Sequence, residues 1–491
     1  MKSSHISRAT HRFFATSLAF ISTGLLYGTS ASFAGTIAAG APPSPVTNGW
    51  LNSLLHEQSA AYNDWDIGGE LRLRYESKDS AGPFPNNDFI TKGKVNSNDE
   101  MTERLRLHLG YAPTSWFKVY VEGRGSFQQN DARRPSPDSD RADLQQAYLH
   151  IGDTRQFPLV ATLGRQELIY GDQHMIGNGD WSSTARSFDA AKLRYETADF
   201  WLDAFAGRVV VPYDNHFNVS NDYDTLYGLY GSTKKLVSWQ DTQFYFLSRD
   251  ASSKALNATA PSVPGNPTTA RHIQTLGSRW TSLPGELAGW DYSLEAALQF
   301  GSIVQANARR DQQAYAVFTS GGYTFTDTWG SPRLGAGYDF GSGDSNPNDG
   351  KNQTFDNLFG TNHRFYGSMD LFCERNMQIP RLCASIKPVK QLNLSTEYLM
   401  FWLANTNDVL YPESGSGRKG NGYGLHPNFS SYVGSEVDLV ATYTFTQDCE
   451  LQLGGGHFFA GKYIRQSVDS VATNGGSSDA NWCYVQTRLK F

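Results

Sequence analysis

Long segments of strict two-residue alternation constrain the fold of this chain most. Over residues 104–111, leucine and tyrosine occupy every second position, with arginine, histidine and glycine between them. Successive side chains of a strand point to opposite faces, so each such segment forms a strand with one apolar and one polar side. The same pattern occurs at 70–76, 117–124, 290–300, 437–445 and 483–491.

A soluble β-sandwich would show the same alternation locally, but three features favour a membrane barrel. The segments are about ten residues long or more, as tilted membrane strands require. Many end in an aromatic residue on the apolar face, and the chain itself ends in Phe491. No stretch beyond the N-terminus approaches the roughly 18 apolar residues of a membrane helix. We therefore predict an all-β fold, a transmembrane antiparallel β-barrel.

Connection lengths predict the strand number. Nine long polar connections alternate with eight short turns, which separates about eighteen strands. Bacterial barrels have long extracellular loops and short periplasmic turns, and we expect that topology here. The long connections are expected at 77–100, 129–142, 168–187, 212–224, 249–270, 301–309, 341–365, 405–432 and 464–480.

The N-terminus has the pattern of an export signal. Residues 1–34 carry three cations, then a moderately apolar run, then small residues suited to signal peptidase. We expect 35–64 to be a periplasmic leader with a helical piece near 51–60, and 65–491 to be the barrel. Removing the signal leaves 39 basic against 48 acidic residues, a net charge of −9, which argues against a nucleic-acid partner.

The four cysteines of an exported chain could form disulfides. Cys373 and Cys383 share one connection and are the most plausible pair, the alternative being isolated buried thiols. No cysteine or histidine spacing resembles a zinc site, and no nucleophile faces a matched base. We therefore predict that the protein is not an enzyme and needs no cofactor.

Strand parity predicts which charged side chains line the lumen. The first three strands and the last are neighbours in a closed barrel, and they point eight cations inward against Glu70, Glu76 and Glu122. This excess of five cations forms a basic track down one wall, which would concentrate anions. The cations are Arg72, Arg74, Arg104, Arg106, Lys118, Arg124, Arg488 and Lys490.

The next wall is expected to be acidic, because Glu397, Glu436, Asp438 and Glu450 alternate inward there. An alternative interpretation of both walls is that the cations merely pair with nearby acids, as charged lumens of wide barrels commonly do. On that interpretation the arginines stabilise the wall and confer no selectivity for anions.

Two segments stand out from the strand pattern, LGRQELIYGD at 163–172 and DWSSTARSFD at 180–189. Others lie at 338–344, 354–367, 436–439 and 455–459. In their order and spacing, these segments resemble the alginate export outer-membrane proteins. The resemblance covers most of the chain from the first strand to Phe491.

The resemblance implies an eighteen-stranded monomeric barrel with an electropositive constriction that passes a uronic-acid polymer or its fragments. It implies that Arg165 is a pore arginine, and that Arg186 and Asp189 lie where the following loop re-enters the wall. Gln145 and Gln146 replace an inward Arg-Glu pair of the alginate exporter, so the barrel carries over more safely than the cargo.

One loop has the beginning of a calcium-binding pattern. Asp344, Asn346 and Asn348 have the spacing of the first oxygen ligands of a calcium loop. Asp349 stands where that turn needs glycine, and no glutamate follows at the required distance, so an ordinary polar turn is the alternative.

The sequence therefore predicts a porin of the bacterial outer membrane that passes anionic polysaccharide or oligosaccharide, such as alginate, through a basic lumen. Its partners would be the saccharide, outer-membrane lipid and a periplasmic export complex. One alternative is a less specific diffusion porin for small anionic or sugar solutes. Another is a structural barrel plugged by the loops at 405–432 and 464–480.

Overall fold

The computed structural model describes residues 49–80, 89–91, 97–132, 138–214, 216–252, 270–305, 308–363 and 365–491. The predicted export signal lies outside the described residues, as does the predicted leader up to residue 48. The helical piece expected near 51–60 is present as helix α1, Trp50–Gln58.

The remaining elements are almost all strands. Helix α2 is Lys462–Asp469, and short 3-10 helices lie at Ala60–Tyr62 and Ala472–Asn474. The strands are β1 Trp65–Asp79, β2 Ser97–Thr114, β3 Phe117–Gln129, β4 Asp140–Ile151, β5 Leu159–Gln166, β6 Phe188–Glu196, β7 Phe200–Val211, β8 Val219–Thr233, β9 Gln240–Ala251, β10 Arg271–Ser282, β11 Trp290–Gln305, β12 Ala308–Thr324, β13 Arg333–Gly341, β14 Lys351–Asn352, β15 Met377–Val389, β16 Leu392–Leu403, β17 Tyr432–Thr446, β18 Cys449–Ala460 and β19 Ala480–Lys490.

Eighteen of the described strands form one closed antiparallel barrel. Each wall strand pairs with its neighbours in sequence, and β1 pairs with both β2 and β19 to close the sheet. The two-residue β14 lies in the connection between β13 and β15, which pair directly, so it is not part of the wall. The predicted all-β fold and strand number are confirmed.

The two faces of the wall have inverted burial. On β2, Leu107 is 52% exposed whereas the adjacent Arg106 is 2% exposed. Leucines outside and buried arginines inside are the reverse of a soluble protein, and they fit an outer face that meets lipid. The lumenal side chains are buried because other parts of the chain fold inward against them.

The prediction of a long loop at 301–309 is wrong. Strands β11 and β12 run through it as one hairpin, with Gln305 opposite Ala308. Strand ends that project beyond the bilayer do not contact lipid, so they need no apolar face. Their sequence is therefore polar, like that of a loop.

Strands β5 and β6 are short, at 8 and 9 residues, and the loop between them turns into the barrel. Gly164, with φ +121, lies two residues before β5 ends, and a Cβ there would lie 2.3 Å from the Ala147 carbonyl oxygen. Only glycine tolerates both conditions. Beyond Gln166 the chain leaves the wall.

Two connections, 167–187 and 342–376, lie inside the barrel, and we call them the inner loops. Their apolar side chains share one buried cluster with lumenal wall residues such as Phe205 and Phe318. The connections 404–431 and 461–479 contain most of the two loops, 405–432 and 464–480, that the alternative of a plugged barrel invoked, and they pack on the second inner loop and on each other. There the Cys373 amide donates to the Tyr411 carbonyl, 3.4 Å.

Candidate functional site

Arginines from neighbouring strands lie directly beside one another on the lumenal wall. Arg72 on β1 is opposite Arg488 on β19 and Arg104 on β2, and Arg106 is opposite Arg124 on β3. Like charges at opposite positions repel, so this arrangement is stable only with anions between them. We call Arg72, Arg104, Arg106 and Arg488 the arginine cluster.

The first inner loop supplies an anion to this cluster. Asp180 Oδ1 lies 2.8 Å from Arg104 Nη1 and 3.2 Å from Arg106 Nη2. Asp180 Oδ2 lies 3.3 Å from Arg488 Nη2 and 4.0 Å from Arg72 Nη1. One carboxylate is thus shared by four guanidinium groups from three strands.

Main-chain and aromatic groups next to Asp180 complete this contact. Arg72 donates to the carbonyl oxygens of Asp180, 2.5 Å, and Trp181, 3.0 Å, and Arg74 lies over the Trp181 ring at 3.9 Å. His363 of the second inner loop stacks on Trp181, with 3.7 Å between ring centroids. The two inner loops therefore meet the basic wall together.

Acids of the wall neutralise much of the remaining charge. Arg104 Nη2 lies 2.6 Å from Glu70, and Arg106 lies 3.6 Å from Glu122 and 3.4 Å from Glu167. Three more pairs follow along the same wall: Arg74 with Glu76, Arg124 with Asp140, and Lys118 with Asp66. The expected excess of cations is thus offset by acids from the wall and from the inner loop, while Lys490 lies partly exposed at the end of β19.

The first part of the first inner loop, residues 170–174, contacts the opposite wall of the lumen. We call it the far end of the loop. Asp172 Oδ2 accepts from Arg279 Nη2, 2.7 Å, and from Ser293 Oγ, 2.9 Å. Tyr170 donates to Asp203, 2.8 Å, and His174 Nδ1 lies 2.9 Å from Glu295. These wall residues lie near the periplasmic ends of their strands, so the loop reaches deep into the barrel.

The second inner loop pairs with the first and is fixed by its own charges. The Phe359 amide donates to the Met175 carbonyl, 3.0 Å, and the Gly177 amide to Phe359, 3.0 Å. Asp356 contacts Arg271 at 2.5 Å and Arg249 at 3.6 Å. The lumen thus contains a two-loop assembly attached to opposite sides of the wall.

Residues 64–477 match the sequence profile of the Alginate export family. The chain belongs to the alginate export family. No curated protein matches it in sequence. Solved structures with the same fold include OccAB1 of Acinetobacter baumannii, with 11% identity, a TM-score of 0.54 and coverage of 87% of this chain and 97% of that one.

Two further structures have the same fold. The outer membrane protein opdK of Pseudomonas aeruginosa has 12% identity, a TM-score of 0.53 and coverage of 87% of this chain and 99% of that one. OpdQ of Pseudomonas aeruginosa has 14% identity, a TM-score of 0.53 and coverage of 87% and 98%. Family and fold make this chain a bacterial outer-membrane β-barrel of the channel type. Among the described residues, no helix is long and apolar enough to cross a bilayer.

The two arginines carried over from the alginate export family differ in their surroundings. Arg165 is 7% exposed and donates two hydrogen bonds to the Asp189 carboxylate, at 2.8 and 3.1 Å. It also donates to the Leu144 and Asn218 carbonyls. Arg186 donates to the Gly177 carbonyl, 2.9 Å, and to the second inner loop. Arg165 therefore braces the point where β5 ends, and Arg186 joins the two inner loops.

Two of the four acids of the expected acidic wall, Glu436 and Asp438, hold the second inner loop. Glu436 Oε1 accepts from the Met369 amide and Asp438 Oδ2 from the Ser368 amide, each at 3.0 Å. Both carboxyl groups are buried, because the second inner loop covers them on the lumenal side of the wall.

The calcium candidates form turns, and the cysteines are free. Asp344 accepts from the Asn346 amide, 3.1 Å, and Asn346 from the Asn348 amide, 3.2 Å, which are Asx turns. No cluster of three or more His, Cys, Asp or Glu suited to a metal occurs in the described part of the chain. The disulfide considered for Cys373 and Cys383 is absent. Cys373 is buried in the second inner loop, whereas Cys383 lies on β15.

Sequence reasoning missed the acids that anchor the inner loops: Asp172, Asp180 and Asp356. All three occur in segments that carry the resemblance to the alginate export family, which was the available signal. Their role depends on partners as distant as Arg488, which is 308 positions from Asp180. Local periodicity contains no information about such contacts.

Glu374 provides a pH-dependent test of the second inner loop. Burial raises the pKa of its carboxyl to about 8, against the influence of Arg375. A carboxyl with a raised folded-state pKa loses stabilisation as pH rises from its unfolded value of about 4.5 towards 8. We expect channel opening events to become more frequent as the pH rises from about 4.5 to about 8, the window of that titration.

The measurement is the open probability in planar bilayers across that pH range. Glu374→Gln removes the titration and should flatten the profile, whereas Glu413→Gln, an exposed acid of a neighbouring loop, should leave it unchanged. An unchanged profile in Glu374→Gln would show that other groups set the pH dependence.

Proposed function

We propose that this alginate export barrel is an outer-membrane channel for anionic saccharides, uronate polymers or oligomers such as alginate. The observation that carries the proposal is the Asp180 carboxylate held by four arginines. Uronates present the same chemical group on each sugar ring. The planar guanidinium fork of arginine binds carboxylates directionally and keeps its charge at every physiological pH.

Selectivity would follow from the position of the charges rather than their sum. The chain is acidic overall, and its wall acids pair with the arginines, yet the guanidinium groups form a continuous row over β19, β1 and β2. Such a row in a low-dielectric wall lowers the barrier for an anion that replaces the loop carboxylate. Lys118 and Lys490 would extend the row towards the periplasm.

In this proposal the barrel works as a monomer in outer-membrane lipid and performs transport without catalysis. A polymer exported through it would be delivered by a periplasmic complex. A diffusion porin for small anionic or sugar solutes is the less specific form of the same proposal.

A plugged structural barrel is the second candidate, favoured by the two inner loops that occupy the lumen. It has no transported substrate, so the two candidates differ in conductance. A channel conducts ions when its loops fluctuate, whereas a plugged scaffold does not.

The test is the reversal potential of the purified barrel under a KCl gradient. We expect anion selectivity, and we expect Arg488→Gln to lower the anion-to-cation permeability ratio by roughly twofold or more, because it removes a partly exposed cation from the row. Arg208→Gln, which removes a cation 47% exposed outside the lumen, is the matched control and should change little. Cation selectivity of the wild type would refute the proposal.

A further inference from the structure

We propose that Asp180 is a tethered substitute for the substrate carboxylate, which holds the arginine cluster until a polyuronate displaces it. The inference rests on the proposed function and deepens it, because it names the group that substrate must replace. It also predicts a preference for polymers over single sugar acids.

The first argument is the geometry of the contact. Both Asp180 oxygens are engaged, one by Arg104 and Arg106, the other by Arg488 and Arg72. A free carboxylate placed at this position would receive the same charge-assisted hydrogen bonds from Arg104, Arg106 and Arg488, with the Arg72 cation nearby. The cluster therefore does not require that its ligand belong to the chain.

The second argument is access. The Asp180 side chain is 35% exposed and Arg488 is 29% exposed, while Arg104 is 1% exposed. The site is thus open on the lumenal side and closed on the wall side. A solute in the lumen can approach the carboxylate without removal of the wall pairs Arg104–Glu70 or Arg106–Glu122.

The third argument is the difference between the two ends of the loop. At the far end, Asp172 is 10% exposed and its partner Arg279 is 1% exposed, so that anchor is protected. Between the anchors, Gly179 has φ +57, and a Cβ there would meet nothing within 4 Å. The Asp180 carboxylate is therefore the more accessible of the two anchors.

The fourth argument concerns the substrate class. A tethered ligand competes at an effective concentration on the order of millimolar, so a dilute monovalent sugar acid displaces it poorly. A polyuronate presents many carboxylates along one chain, and rebinding of successive groups offsets that competition. Asp180 would thus reject small organic anions and admit oligomers.

The experiment measures block of single-channel current by oligogalacturonate of about ten sugars, compared with a neutral maltooligosaccharide of equal length. We expect Asp180→Asn to lower the half-blocking concentration of oligogalacturonate about tenfold or more, since the millimolar competitor is gone. The neutral sugar should show no such change. Asp222→Asn, an equal change of charge at a carboxylate 70% exposed outside the lumen, should behave as wild type.

The outcomes separate this inference from the proposed function. If oligogalacturonate blocks wild type and Asp180→Asn at the same concentration, Asp180 is no competitor and only this inference is wrong. If it blocks neither, and the barrel prefers cations, the proposed function fails. Asp180→Ser repeats the test with a smaller side chain. Folding of each variant is checked by the heat-dependent shift of the barrel in gel electrophoresis. If neither variant folds, Asp180 is required for assembly and the inference is wrong.

Discussion

Replacement of residues 168–186 by a four-residue Gly-Ser linker is expected to raise the single-channel conductance several-fold, because an eighteen-stranded barrel is wide enough for an aqueous channel and the first of the two inner loops no longer fills it. Gln166 and Phe188 are register partners at the ends of β5 and β6, so a short linker can join them without distortion of the wall. The measurement is conductance in planar bilayers with folded, purified barrel.

The matched control replaces 345–350, the exposed tip of the second inner loop, by a Gly-Ser segment of equal length. It leaves the contacts of Asp356 with the wall in place, and its conductance should equal that of wild type. A folded barrel that still conducts no ions after removal of 168–186 would contradict the channel proposal and favour the plugged scaffold.

Asp356→Asn is expected to destabilise the folded protein by about 3–5 kcal/mol, the usual result of breaking a buried ion pair from one side. Asp356 is 2% exposed and contacts Arg271 at 2.5 Å and Arg249 at 3.6 Å. Arg249 retains Asp224 at 2.6 Å, so the unpaired cation left behind is Arg271. Equilibrium unfolding in urea, followed by tryptophan fluorescence, gives the free energy of unfolding.

Asp349→Asn, in the exposed part of the same loop, is the control and should change the free energy of unfolding by less than about 0.5 kcal/mol, as is usual for surface substitutions. The same variants should differ in open probability, with Asp356→Asn the more active, because the loop is released from the wall. Equal stability of both variants would mean that Asp356 is not an anchor of the second inner loop.

The alternation of side chains determined the wall of this barrel. A strand fixes the direction of each side chain from its position alone, so parity assigned Arg72, Arg104 and Arg106 to the lumen and Leu107 to the lipid face. Connection lengths gave the strand number for the same local reason. The long connection expected at 301–309 failed because a projecting hairpin has no apolar face.

The counter-charges could not be found in this way. Parity predicted an excess of cations on one wall, but Asp180 approaches Arg104 from 76 positions away and Arg488 from 308. The same limit applies to the plugged barrel, the alternative that rested on the loops at 405–432 and 464–480. The inner loops are instead those with acids that pair with wall arginines and with aromatic side chains that pack between them.

By itself, the sequence determined the closed antiparallel wall, its lipid face and the set of inward arginines, because these follow from a two-residue period and from connection length. Only the tertiary structure decided that the arginine cluster is occupied, by which carboxylate, and which end of the loop is accessible. Charge compensation in a lumen joins residues hundreds of positions apart, and it depends on how loops fold rather than on how strands alternate.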